Sequence, residues 1–252
     1  MTRILVTNDD GVRSKGIHAL AEALEPLGQV VVVAPNREAS AIGHALTLHH
    51  PLRLEHLRDS TYALDGTPTD CVNIAVAAVL LGLPDLVVSG INKGLNVGDD
   101  VTYSGTVSGA LEGALLGVPS IAVSLQQGSG DWEFGDAAQV AREVAERVLR
   151  SGLPARTFLN VNVPRVTPKG IRLTVQGKRN HATTVSKRDD PRGRAYFWIG
   201  EGEDEWLPDG DSDYEAIRAG YVSLTPLQSD LTAHDAVRFV KALGLERDAE
   251  VR

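Results

Sequence analysis

The sequence predicts an α/β fold built on a mostly parallel sheet, and three observations predict it. Short apolar runs rich in Val and Ile alternate with segments whose apolar residues recur at helical spacing. A strand, a helix and a second strand fit into about the first 35 residues, the βαβ unit that needs a parallel pair and a right-handed crossover. Successive core strands also end abruptly in oxygen-bearing side chains, at the edge where open α/β sheets place their ligands.

The first strand is Ile4-Leu5-Val6-Thr7, which runs into Asn8-Asp9-Asp10-Gly11. Two adjacent aspartates repel each other unless a cation lies between them or one is protonated, so their position at a strand end asks for a metal ion. By itself the stretch suits a turn equally well, because Asn, Asp and Gly are turn residues. Ile17, Leu20, Ala21 and Leu24 then form one face of a helix closed by Pro26 and Gly28. A buried strand, Val30-Val31-Val32-Val33-Ala34, follows and opens into a loop that carries Ser40.

Alternating segments around Leu46-Thr47-Leu48, Leu52-Arg53-Leu54 and Tyr62-Ala63-Leu64 predict minor strands or hairpins. Thr67-Pro68-Thr69-Asp70 predicts a helix start, with Thr67 as cap, Pro68 in the first turn and Asp70 at the positive end of the dipole, and the helix extends to about Leu81. Cys71, in its first turn, is read as a buried, inert thiol.

Asp85-Leu86-Val87-Val88-Ser89 is the third core strand, followed by a loop with Asn92, Lys93 and Asn96 among three glycines. From Ser104 a helix carries Gly105, Gly109, Gly113 and Gly117 four apart, predicting close packing of one face on the sheet. A strand from Ser120 to Leu125, a helix with Val140, Ala141, Val144, Val148 and Leu149, and the strand Thr157-Phe158-Leu159-Asn160-Val161-Asn162-Val163 continue the alternation.

At about 177–213 the composition turns charged, Gly-rich and aromatic, with Tyr196-Phe197-Trp198-Ile199 as a strand in an exposed arm suited to subunit contact. A strand and a helix at about 221–243 close the chain. With no internal repeat or linker, residues 1–252 are expected to form one domain bearing that arm.

At 252 residues the chain is long enough to bury roughly 70–75% of its unfolded surface. The net charge of −8 works against broad contact with polymeric nucleic acid or an anionic membrane. One cysteine forbids an intrachain disulfide, the stretch after Met1 is a core strand instead of a signal peptide, and no apolar run reaches membrane-spanning length, so the expected location is cytoplasmic. No G-x-x-x-x-G-K-[ST] loop and no G-x-S-x-G elbow occur, which disfavours P-loop and Ser-hydrolase chemistry.

In a parallel sheet, Asp9 and Asp10, Ser40, Asn92 and the helix start at Ser104 share one edge. All offer hard oxygens, which favour Mg²⁺, Mn²⁺ or Ca²⁺ over zinc, and two carboxylates just neutralise a dication that can still attract phosphate. Ser104-Gly105-Thr106 supplies backbone N–H groups and hydroxyls suited to a phosphate, although a Ser-Gly-Thr also describes an ordinary N-cap.

These motifs together resemble the stationary-phase survival protein SurE family. The resemblance rests on Val6-Thr7-Asn8-Asp9-Asp10-Gly11, Val33-Ala34-Pro35 leading to Ser40, Gly66-Thr67-Pro68-Thr69-Asp70-Cys71-Val72, Ser89-Gly90-Ile91-Asn92 and Tyr103-Ser104-Gly105-Thr106-Val107, with a further match from Leu227 to His234. It departs from the family pattern at Leu95, where proline is frequent.

The resemblance implies a Rossmann-like three-layer core with an extended β arm and C-terminal oligomerisation elements. It also implies one divalent cation per subunit, magnesium or manganese, held by Asp9, Asp10, Ser40 and Asn92. Asn96, Ser104, Gly105 and Thr106 would then lie at the phosphate, with Asp9 and Asp10 catalytic. The implied activity is hydrolysis of nucleoside 5′-monophosphates, with 3′-monophosphates as further substrates, by a homodimer or homotetramer.

Two readings of other classes are a receiver-like signalling domain and a non-catalytic nucleotide-binding module. The receiver needs an acceptor Asp at the end of the third core strand, where this chain has Ser89 and Gly90.

Overall fold

The structure, a computed structural model, describes residues 1–128, 130–180, 183–201, 205–207 and 210–245. In chain order the first half contains β1 (Arg3–Thr7), α1 (Lys15–Leu24), β2 (Gln29–Pro35), β3 (Leu54–Arg58), β4 (Thr61–Leu64), α2 (Pro68–Ile74), β5 (Leu86–Lys93), α3 (Gly105–Leu115) and β6 (Ser120–Leu125). It continues with α4 (Gly135–Ser151), β7 (Thr157–Val163), β8 (Ile171–Leu173), β9 (Arg179–Asn180), β10 (Thr183–Asp189), β11 (Ala195–Glu201), β12 (Glu205–Trp206), α5 (Asp213–Arg218), β13 (Val222–Gln228) and α6 (His234–Lys241).

Nine strands form one sheet in the order β3-β4-β2-β1-β5-β6-β7-β13-β8. The six from β4 to β7 are parallel, with β3 and β13 antiparallel to their inner neighbours. From β1 the chain moves outward through β2, then returns to β5 on the other side of β1. This reversal opens a crevice between the carboxyl ends of β1 and β5.

Side-chain alternation along the strands builds the two flanking layers. Ile4 and Val6 join Val88, Val123 and Val161 under α1 and α4. Leu5, Val31, Val33 and Val87 point the other way, toward α2, while Ala122 and Phe158 meet Val107 and Ala110 of α3. The expected α/β core is therefore present, and the limits of β6 and β7 match the sequence reading.

Close packing of α3 is achieved by three glycines instead of four. A Cβ on Gly109 would lie 2.8 Å from Ser89 Oγ, and one on Gly113 would lie 2.9 Å from Val87 Cβ. Gly105 is treated with the site. Gly117 instead terminates the helix with φ +83°, while the Gly117 and Val118 N–H groups bond Ala114 O and Gly113 O in a Schellman arrangement.

Other expectations shift locally. Residues 46–48 form no strand and carry Leu46 and Leu48 exposed; only Leu54 of the second segment enters β3, because pairing begins opposite Leu64 of β4. Thr67 and Asp70 form a reciprocal capping box, and the helix narrows to Ile74 before a wider turn over Ala75–Val79. Cys71 is buried as a free thiol. No helix among the described residues is long and apolar enough to cross a membrane.

The arm is a hairpin of β10 and β11, paired from Thr183↔Glu201 to Asp189↔Ala195, with Phe197 and Trp198 exposed. The chain on either side of it is tied to the core. Val175 bridges Ser212, and Asp213 is fully buried, accepting the N–H groups of Gly98 (2.9 Å), Gly177 (2.9 Å) and Tyr214 (2.8 Å). The rings of Trp206 and Tyr214 stack at 3.9 Å beside Gly98. Short α5, which begins at Asp213, was not anticipated because six residues carry too little periodicity.

A second tie fixes the loop after β2. His44 Nε2 lies 2.8 Å from Glu112 Oε2 on α3, and Asn73 Nδ2 donates to Glu112 Oε1 at 2.7 Å. Bonding to His44, with help from Asn73, holds the Glu112 carboxyl below its usual range despite burial.

Asp213→Ala leaves buried N–H donors without their acceptor and should lower unfolding free energy by about 1–3 kcal/mol in urea melts. Because the Glu112 pKa is depressed in the fold, its contribution is present above the unfolded value of 4.5 and is lost as pH falls through the lower folded value. The Tm gap between wild type and Glu112→Gln should therefore be widest near neutral pH and close on acidification below about pH 4.

Candidate active site

The site begins with the turn that leaves β1. Asn8 is buried, and its Nδ2 donates to Gly11 O (3.1 Å) and Ser14 Oγ (2.8 Å), while Ser14 Oγ caps α1 by accepting from Ile17 N. This bracing sets consecutive Asp9 and Asp10 at the crevice, Asp9 toward α3 and Asp10 toward Lys93. The loop after β2 closes over them, with Ala39 N donating to Asp9 O at 2.8 Å and Gly11, at φ +91°, packed on Arg37.

Asp9 is only 5% exposed and sits against the start of α3. Thr106 Oγ1 donates to Asp9 Oδ1, and the Thr106 backbone N–H also favours the ionised carboxylate. A Cβ on Gly105 would fall 2.8 Å from Asp9 Cβ and 2.9 Å from Oδ2, so glycine is required for this approach. Burial still pushes the Asp9 pKa up; the Thr106 bond opposes that shift and the Asp10 charge reinforces it.

Asp10 is half-buried. Its Oδ2 accepts the Lys93 N–H at 3.3 Å and its Oδ1 lies 3.8 Å from Lys93 Nζ. Its pKa is also raised, by burial above all; Lys93 pulls it down and Glu38 pushes it up. Two carboxylates that are both driven toward the neutral form call for positive charge between them.

The neutral candidates lie at different depths, Ser40 just after Ala39 and Asn92 just before Lys93, each of which is bonded to the pair. Ser40 is exposed on the loop after β2 and donates to Glu38 Oε1 at 2.7 Å. Asn92 closes a bulge in β5 that contains the cis Gly90–Ile91 peptide, and its Nδ2 donates to Gly94 O at 3.0 Å. Among the described residues, no three of His, Cys, Asp and Glu gather as a metal cluster. The donor set of two carboxylates with neutral hydroxyl and amide oxygens suits a hard divalent cation.

Asn96 is buried against β6 and β7, and its polar groups are bonded to those strands. Its Nδ2 donates to Ser124 Oγ (2.7 Å), its N–H to Asn162 Oδ1 (2.8 Å), and its carbonyl accepts from Asn160 (2.8 Å) and Asn162 (3.0 Å). The sequence reading missed these supports. The available signal was a pair of amides, Asn160 and Asn162, on one face of an otherwise apolar strand, since buried amides need partners.

At the start of α3 both hydroxyls have partners within the fold. Ser104 Oγ accepts Val107 N (3.1 Å) as the N-cap, and the Thr106 hydroxyl is committed to Asp9. What this helix end offers an incoming anion is its dipole and the N–H groups of its first turn.

Comparison with known proteins agrees with this architecture. The family model described as "Survival protein SurE" matches residues 4–183. A Geotalea daltonii protein named 5′-nucleotidase SurE is 53% identical over 95% of this chain and 98% of its own length. A Syntrophotalea carbinolica protein of the same name is 55% identical over 91% of this chain and 92% of its own. The crystal structure of the SurE protein from Aquifex aeolicus superposes with a TM-score of 0.85 at 46% identity, covering 96% of this chain and 99% of that one. With the aspartate pair, the β5 loop and the α3 start all inside the matched span, the chain belongs to the survival protein SurE family.

Proposed function

We propose that this protein is a divalent-cation-dependent phosphomonoesterase that hydrolyses nucleoside 5′-monophosphates, and 3′-monophosphates as well, to nucleoside and phosphate. The observation that carries this reading is the Asp9–Asp10 pair seated between the start of α3 and Lys93 at the sheet crevice. The activity in the names of its relatives points the same way.

Asp9, Asp10, Ser40 and Asn92 would hold one magnesium or manganese ion per subunit. When bound, such an ion polarises a phosphoryl oxygen and acidifies water. The chain's own residues do the rest. Thr106 fixes the Asp9 carboxylate, and Lys93 places positive charge beside Asp10, on the path of an anionic ester.

Gly105 offers its first-turn N–H to the phosphate, and Thr106, bonded to Asp9, holds the carboxylate beside it, with Ser104 capping that turn and Asn96 held at its flank by Asn160 and Asn162. Both aspartates are engaged by neighbours, which favours water as the nucleophile over attack by either carboxylate. The buried free thiol suits a reducing cytoplasm, and the exposed arm and C-terminal helix suit homodimers or homotetramers.

Asp9→Asn and Asp10→Asn should each reduce phosphate release by more than about 100-fold, beyond the usual loss for an outer-shell change, with circular dichroism unchanged. Full turnover in either variant would remove the pair from the mechanism. Chelation should abolish release from 5′- and 3′-nucleotides, and magnesium or manganese should restore it; phosphate trapped covalently on either acid would reject the water route. Gly105→Ala, which drives a methyl into Asp9, should lower kcat by about 10-fold or more while the far-UV spectrum is retained.

A further inference from the structure

Beyond β5 the carboxyl edge of the sheet continues through β6 and β7, where the described residues between β6 and α4, with Pro164 and Arg165 after β7, line a recess of about 250 Å³. Gln126, Asp131, Trp132, Glu133, Asp136 and Arg165 contribute to its lining. The recess lies at the end of the strand next to the one that carries Asn92. Gly94 N donates to Leu125 O at 2.9 Å, and Asn92 pairs in register with Ser124. Neighbouring strands lie about 4.8 Å apart, so the two places are one or two strand spacings from each other.

Trp132 is half-buried and stacks on Phe134, with ring centroids 6.1 Å apart and planes 13° from parallel. Phe134 is wedged beside Gly16 at the start of α1, where a Cβ would meet its ring at 3.1 Å and would also strike the carbonyl of Ile91. The aromatic pair is thus braced by the same two elements that deliver Asp10 and Asn92. The lining carries three carboxylates against one guanidinium, whose side chain lies across Gly128. Such a recess disfavours a phosphate and offers acceptors to an N–H donor.

We propose that this recess is the nucleoside subsite of the phosphomonoesterase reading above, on which it rests. The Trp132 face supports the base, and the carboxylates accept hydrogen bonds from an exocyclic amino group. Bases with that group, adenine, guanine and cytosine, are then preferred over uracil and thymine. Where cytosine presents that amino donor uracil presents a carbonyl acceptor, which the carboxylates repel instead of bonding.

The test compares kcat/KM for AMP, CMP, UMP and phenyl phosphate in wild type, Trp132→Ala and Trp132→Phe, with magnesium or manganese supplied. Loss of one base–aromatic stack should raise KM for AMP about tenfold in Trp132→Ala, leave phenyl phosphate within about twofold, and be largely recovered in Trp132→Phe. Wild type should favour CMP over UMP. Equal effects on AMP and phenyl phosphate, no effect on either, or UMP used as well as CMP would overturn the recess assignment. The UMP comparison needs no variant, so it decides even if Trp132→Ala does not fold. Wild type inactive on every nucleotide would instead overturn the phosphomonoesterase reading itself.

Discussion

A buried carboxylate at a helix start is the constraint around which this molecule is arranged. Burial of Asp9 opposes its charge, and the opposing forces are the Thr106 hydroxyl and the positive end of α3. That arrangement works only if α3 lies close against the sheet, within side-chain reach of Asp9 and Thr7. Gly105, Gly109 and Gly113 permit the approach along the whole helix, resting it on Thr7, Ser89 and Val87. The helix that stabilises the acid is therefore also the helix that seals one face of the sheet, so site geometry and core packing cannot vary independently.

Asp10 is treated differently. It faces Lys93 across the crevice and feels Glu38 from the loop after β2, so its charge is balanced by side chains nearer solvent. The pair thus has one fixed member and one adjustable member, although the residues are chemically identical and adjacent. Position explains the contrast: Asp9 is held by a helix that packs on the sheet, Asp10 by Lys93 and the loops at the rim.

Much of this was legible in the sequence where the cause is local. Apolar runs fixed β1, β2, β5, β6 and β7, and the Thr67–Asp70 capping box announced α2, because strand burial and helix caps depend on residues a few positions apart. Asp9, Asp10 and Asn92 stood out as polar ends on apolar strands. The supports of Asn96 did not, since Asn160 and Asn162 lie more than sixty positions away and their role exists only once β7 flanks that loop. Asp213 was hidden for the same reason, and it looked like one more acid in a charged stretch. Gly117 was misjudged because periodicity alone cannot separate a packing glycine from a terminating one.

The burial of Asp213 bears on how the arm relates to the rest of the molecule. One carboxylate joins the backbone at Gly98, in the loop that carries Asn96, to the backbone at Gly177, where the arm departs. The protruding hairpin is consequently no detachable appendage grafted at 177 and 213. Evolution or an engineer could lengthen, shorten or exchange it freely only between β10 and β11, outboard of that junction, and a load applied to its tip would be transmitted to the loop beside the crevice.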